Sequence, residues 1–301
     1  MISKHVAATL RALLADAIDY AGLFPPSAHT MQDAVVNYAT YRNSNYSWML
    51  GRFVVAAARL EEFFDVAEDF IARDRSGPWR VATVAGEDID DTLRKVIRFN
   101  ELHAAGAVCD VVEVRASTSS KIDNTVSKLP SGLTAYFELA PDETLPELVA
   151  ELALRGQRAK VRTGGVTPDA FPRTEAIVRF VQVCTAAGVE FKATAGLHHP
   201  IRCFRPLTYE EDSIKGTMHG FLNLFMMAGF ARESYRRNLL EEVMEEEFGE
   251  VFEFDDNNAR WRGTHEIGLR QIEVLRERGI QSFGSCSFDE PVADLQKLGI
   301  L

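Results

Sequence analysis

The sequence predicts a closed (β/α)8 barrel. Short apolar segments, each about five to eight residues long, recur eight times along the chain. Most are followed by Gly, Pro or Asp and then by a stretch with helical periodicity. Strands that alternate with helices pair in parallel through right-handed crossovers, and eight such units fit a chain of 301 residues. An open doubly wound sheet is the competing architecture. It lacks its usual nucleotide-binding marks, since no GxGxxG follows the first strand and no GxxxxGK[ST] occurs.

The elements follow in order. MISKHVAATLRALLADAIDY is periodic and reads as a helix, not as a signal peptide. DAIDYAGLFPP (16–26) is the first strand candidate, with Asp19, Tyr20 and, beyond a Pro-Pro turn, His29 placed toward the mouth. GRFVVAAA (51–58) leads into LEEFFDVAEDFIARD, and WRVATVAG (79–86) into DIDDTLRKVIRFNELHAAG. CDVVEVRA (109–116) is next, then LTAYFELA (133–140) with TLPELVAELALRG. RAKVRTGG (158–165) precedes PRTEAIVRFVQVCTAAG; VEFKATAGL (189–197) and SFGSCSF (282–288) complete the eight. Three of the helical stretches stop at or near glycine. Arg52 and Arg80 begin their strands, the end of a barrel that serves stability, so neither is assigned to the site.

Residues 198–263 interrupt this rhythm and read as an inserted helical rim segment after the seventh strand of a single domain. MHGFLNLFMMAGFA within it is apolar enough for the core or a subunit contact, and a homo-oligomer is expected. The acidic run Glu241, Glu242, Glu245, Glu246 and Glu247 reads as a solvated helix face.

Composition narrows the function. With 46% hydrophobic and 26% charged residues the chain is of ordinary globular type, and it has no apolar run long enough for a transmembrane helix. A net charge of −11 argues against nonspecific nucleic-acid binding. Cys109, Cys184, Cys203 and Cys286 lie far apart without CxxC spacing, which argues against a disulfide framework and fits a reducing cytoplasm.

Barrel strands are buried on both faces, so a charge near a strand's end is paired or points into the mouth. Three segments carry such charges. Lys160 and Arg162 share one face of RAKVRTGG, and Thr163, Gly164 and Gly165 follow, where backbone N–H groups can approach an anion. Lys192 and Thr194 share a face of VEFKATAGL. In CDVVEVRA, Asp110 lies on one face and Glu113 and Arg115 on the other. A lysine in a dry site beside a second cation has a lowered pKa, which makes it an amine nucleophile able to form a Schiff base with a carbonyl. Lys160 and Lys192 would supply nucleophile and perturbing charge, and Asp110 or Glu113 would move protons.

These residues resemble the class I aldolase superfamily, and within it most closely the deoxyribose-phosphate aldolase family. Lys160-Val161-Arg162-Thr163-Gly164 is similar to that family's Schiff-base context K-x-S-T-G on the sixth strand. Phe191-Lys192-Ala193-Thr194-Ala195-Gly196 is similar to its seventh-strand V-K-A-S-G-G, and Cys109-Asp110-Val111-Val112 to its fourth-strand aspartate run. Phe283-Gly284-Ser285-Cys286-Ser287 resembles its phosphate-binding turn. The resemblance implies Lys160 as nucleophile, with Gly284 and Ser285 binding substrate. Arg162 stands where that family has serine and points to an anionic, carboxylate-bearing substrate. A weaker resemblance, to type I dehydroquinase, rests on Val112-Glu113-Val114-Arg115 and implies Lys192 as nucleophile with Glu113 and Arg115 inside.

His198 and His199 in GLHHPIR read as substrate-binding rim residues; with His219, Glu113 or Asp255 they could alternatively build a divalent-metal site for a lyase or hydrolase. A barrel serving only to bind is the non-enzymatic alternative. The sequence reading is a Schiff-base lyase or aldolase acting on a small anionic carbonyl compound. It needs no organic cofactor and no metal, because the lysine is the electron sink.

Overall fold

The structure, a computed structural model, describes residues 5–301; the first four positions of the N-terminal helix expected from the sequence lie outside the described residues. In chain order the helices are α1 (Ala8–Leu14), α2 (Met31–Arg42), α3 (Leu60–Arg73), α4 (Ile89–His103), α5 (Ser119–Val126), α6 (Leu145–Leu154), α7 (Thr174–Ala187), α8 (Phe221–Arg232), α9 (Arg237–Glu245), α10 (Leu269–Arg278) and α11 (Asp289–Lys297). The strands are β1 (Ile18–Tyr20), β2 (Leu50–Ala56), β3 (Trp79–Val84), β4 (Ala107–Arg115), β5 (Thr134–Glu138), β6 (Arg158–Arg162), β7 (Phe191–Thr194), β8 (Cys203–Pro206), β9 (Lys215–Met218), β10 (Phe252–Phe254), β11 (Asn258–Trp261), β12 (His265–Gly268) and β13 (Ile280–Ser285).

Eight strands close into a parallel barrel in the order β1-β13-β7-β6-β5-β4-β3-β2, with β2 returning to β1. The chain is therefore an α/β (β/α)8 barrel, and each of the eight apolar segments supplies one stave. Local chemistry sets the helix ends. Asp88 accepts from the backbone N–H groups of Asp90 and Asp91 at the start of α4. Gly188, at φ 67°, stops α7 in the left-handed region.

The core has two parts. Outside the barrel, Tyr38, Phe53, Phe63 and Trp79 pack ring against ring between β2, β3 and the helices that cover them. Inside it, Val54, Ala82, Val111 and Tyr136 form a small apolar plug. Burying such side chains contributes roughly 1.5–3 kcal/mol each. The plug leaves room for polar groups only nearer the strand ends.

Residues 198–263 depart from the expected helical rim insertion. They begin with the β8–β9 hairpin. The apolar helix follows as α8, with every residue from Phe221 to Phe230 buried. It packs on α7, α9, α10 and β13, and Phe221 stacks on Phe283 at 4.8 Å. α8 thus covers the barrel as its seventh helix, and its all-round apolar surface reflects neighbours on every side. The antiparallel sheet β10-β11-β12 then contacts α1. The acidic run is not uniformly solvated. Glu246 is buried, accepting from the Trp261 indole at 3.2 Å and from Arg262 at 2.9 Å.

Candidate active site

Lys160 and Lys192 are register partners on β6 and β7, so their side chains lie side by side. The Glu113 carboxylate joins them. One of its oxygens accepts from Lys160 Nζ at 2.6 Å and the other from Lys192 Nζ at 2.8 Å. Lys192 also bonds Asp19 on β1. Asp19 is fixed in turn by the Ser282 hydroxyl at 2.7 Å and the Arg52 backbone N–H at 2.8 Å. On the other side Lys160 pairs with Glu138 at 2.9 Å. Arg115 and Arg162 lie 3.6 and 3.7 Å from the same Glu138 oxygen, with side chains exposed at the rim. The result is a ladder of alternating charge: Asp19, Lys192, Glu113, Lys160, Glu138, then the two arginines.

Burial would raise the pKa of Glu113, but the ammonium groups of Lys160 and Lys192 outweigh it and hold the carboxyl at about 2. Asp19 is likewise lowered, as Lys192 and Arg52 overcome its complete burial. Burial alone would lower Lys192; Asp19 and Glu113 reverse that and raise it. Lys192 is therefore a locked ammonium held by two carboxylates, in the place of the perturbing charge beside Lys160. Its ammonium also sits 5.5 Å from the centre of the Tyr136 ring.

A cavity of about 680 Å³ opens over this ladder. Lys160, Glu113, Glu138, Arg115, Arg162, Gly165, Thr194, His198 and Gly284 line it, together with Phe24, Pro25 and Pro26 after β1. Lys192 is not on the wall. It lies behind Glu113 and is 1% exposed, whereas the Lys160 side chain borders open space. The arrangement thus presents one amine to a ligand and holds the other in reserve as a fixed positive charge.

No protein-family model matches the chain. No curated protein matches it in sequence either.

Several expected residues lie elsewhere. Asp110 is the extra residue of a bulge, since Val81 pairs with Cys109 and Ala82 with Val111. Its carboxylate binds Arg52 at 2.6 and 2.7 Å and Arg80 at 3.4 Å, toward the strand beginnings and away from both lysines. Thr163 is buried and donates to the carbonyl of Ala195 at 2.7 Å, tying the β6 and β7 ends together. At Gly164 a Cβ would meet the Phe171 ring at 2.4 Å and the Gly196 Cα at 2.9 Å, so the close packing of the β6 and β7 ends requires glycine there. Ser285 is buried beside β1, where its carbonyl accepts from Ala21. His198 and His199 diverge, the first to Cys286 and the second to Asp294 at 2.6 Å. Among the described residues no group of three or more His, Cys, Asp or Glu side chains is placed to hold a metal ion. His219 instead bonds the carbonyl of Pro172, and Asp255 pairs with Arg260.

Sequence reasoning missed Glu138 and Tyr136. Glu138 carried the same signal as Lys160, a charge at the C-terminal end of an apolar strand segment. Asp19 was placed at the mouth without a partner; its role as the anchor of Lys192 depends on β1 closing against β13, which no local pattern shows.

Proposed function

We propose that the protein is a Schiff-base-forming lyase of the aldolase type, with Lys160 as the nucleophile, acting on a small carbonyl compound that carries an anionic group. The observation that carries this reading is the position of Lys160, among the described residues the one buried amine on the cavity wall, between two carboxylates and beside a second, fixed ammonium.

The chemistry follows from the ladder. Lys160 hands a proton to Glu138, the more exposed of its two carboxylates, and its lone pair adds to the substrate carbonyl carbon. Loss of water from the carbinolamine leaves an iminium cation where the ammonium stood. Glu113 stays ionised and faces that cation, because Lys192 holds it in place from behind. The iminium accepts the electron pair released when the adjacent Cα–Cβ bond breaks to free a carbonyl fragment, and the enamine left behind is reprotonated at carbon before water releases the product. In an elimination the pair comes instead from an α C–H bond whose proton is removed, and the enamine then expels the β-oxygen, which departs as water. Glu138 moves the protons. Arg115 and Arg162, each beyond hydrogen-bond distance of Glu138, keep donors free for a substrate carboxylate or phosphate. The apolar wall of Phe24, Val54 and Val84 excludes water from the reacting carbon.

Incubating the protein with a panel of small aldehydes, ketones and 2-oxo acids in the presence of borohydride tests this. The expected result is a covalent mass gain with at least one anionic carbonyl, abolished in Lys160→Met. A panel that leaves the intact mass unchanged contradicts the proposal.

A further inference from the structure

A second cluster of reactive groups borders the same cavity and takes no part in the lysine chemistry. Cys286 follows β13 and His198 follows β7, and these strands are neighbours in the barrel. The thiol sulfur lies 3.6 Å from His198 Nδ1. Both side chains are buried, Cys286 to 3% and His198 to 7% exposure, yet both line the cavity. Nδ1 of the ring is taken by Cys286, with Glu290 at 3.8 Å. Among the described residues no protein group bonds Nε2, and the ring borders the cavity. Tyr209, in the loop joining β8 to β9, places its hydroxyl 3.7 Å from the sulfur while donating to Glu290 at 2.8 Å.

We propose that Cys286 and His198 form a thiolate–imidazolium pair that is a modification site for small peroxides entering the cavity. Its chemistry is independent of the Schiff-base reading. The sulfur attacks one peroxide oxygen, the O–O bond breaks, and the departing hydroxide takes the imidazolium proton to leave as water. Cys286 becomes a sulfenic acid, oxidised by two electrons, and the peroxide is reduced by the same two.

The electrostatics agree with the geometry. Burial would raise the Cys286 thiol, but His198 beside it turns the balance and lowers it. Burial would lower His198, and Cys286 and Glu290 reverse that. The other three cysteines go the opposite way. Burial pushes Cys109 up to about 12 and Cys203 up to about 11, and raises Cys184 as well. They form an internal control.

The test uses the full protein at neutral pH, with hydrogen peroxide as the oxidant and dimedone to trap sulfenic acid, read by peptide mass spectrometry. Cys286 should be labelled about tenfold or more ahead of half-buried Cys203, given the lower thiol pKa that a neighbouring imidazolium provides. His198→Gln should bring Cys286 down to the Cys203 rate. Labelling of Cys203 as fast as Cys286 in the unaltered protein would overturn the proposal, and this comparison needs no variant that might misfold. Unchanged Cys286 labelling in a folded His198→Gln protein would overturn it equally. Because only cysteine peptides are read, the outcome is separate from whether Lys160 reacts with carbonyls.

Discussion

At the residue scale the site turns on Glu113, whose two oxygens each hold one ammonium in a buried space. Removing its charge leaves Lys160 and Lys192 adjacent and under-compensated. Glu113→Gln is therefore expected to lower stability by about 3–5 kcal/mol, the usual effect of removing one partner from a buried ion pair. Equilibrium denaturation measures this, and a loss under about 1 kcal/mol would show that the two ammonium groups are compensated without Glu113. Lys160, Lys192 and Glu113 were legible because a charge inside an apolar run has few places to go. Asp110 was misread because residue parity fails across a bulge, and the bulge at Cys109–Val111 leaves no mark in the local sequence. The pair of carboxylates that keeps Lys192 charged was not visible for a related reason. A strand shows its own charges but not the carboxylates that β1 and β4 bring to meet it.

At the element scale, all eight barrel strands were visible as short apolar segments, most of them followed by Gly, Pro or Asp, because parallel strands buried on both faces need apolar runs. The glycines at those ends were visible too, and the structure gives them a packing role. Gly164 and Gly196 face each other under the Phe171 ring, so they permit close packing of the β6 and β7 ends. Gly196 also has φ +75°. Gly196→Ala should cost about 2 kcal/mol or more, combining left-handed strain with a Cβ 2.6 Å from the Phe171 ring. An unchanged melting temperature would contradict this account of the turn. The helix α8 was recognised as an element but not as the barrel's seventh helix, since a surface apolar on every side does not say which neighbours cover it. The sheet β10-β11-β12 escaped notice because its strands are three or four residues long and mix polar with apolar positions.

At the scale of the whole molecule, no helix among the described residues is long and apolar enough to cross a membrane, and the barrel's stability is linked to pH through its buried ladder. Glu113 and Asp19 both have folded-state pKa values below their ordinary ones, so the unfolded chain binds more protons in acid. Their contribution is complete above about pH 4.5 and is lost as the pH falls toward about 2, with roughly 3 kcal/mol from Glu113 alone. Lys192, with its pKa raised, keeps its contribution throughout neutral and acid conditions and loses it only in strong alkali. Denaturation midpoints measured from pH 7 down to pH 2 should therefore fall mainly below pH 4.5; a decline already complete at pH 5 would contradict this. The proposed chemistry requires that one lysine meet the ligand while the other remains a fixed ammonium behind it. Locating the borohydride-trapped carbonyl by peptide mapping tests that claim most directly. The adduct is predicted on Lys160 with Lys192 unmodified, and an adduct carried by Lys192 would contradict it.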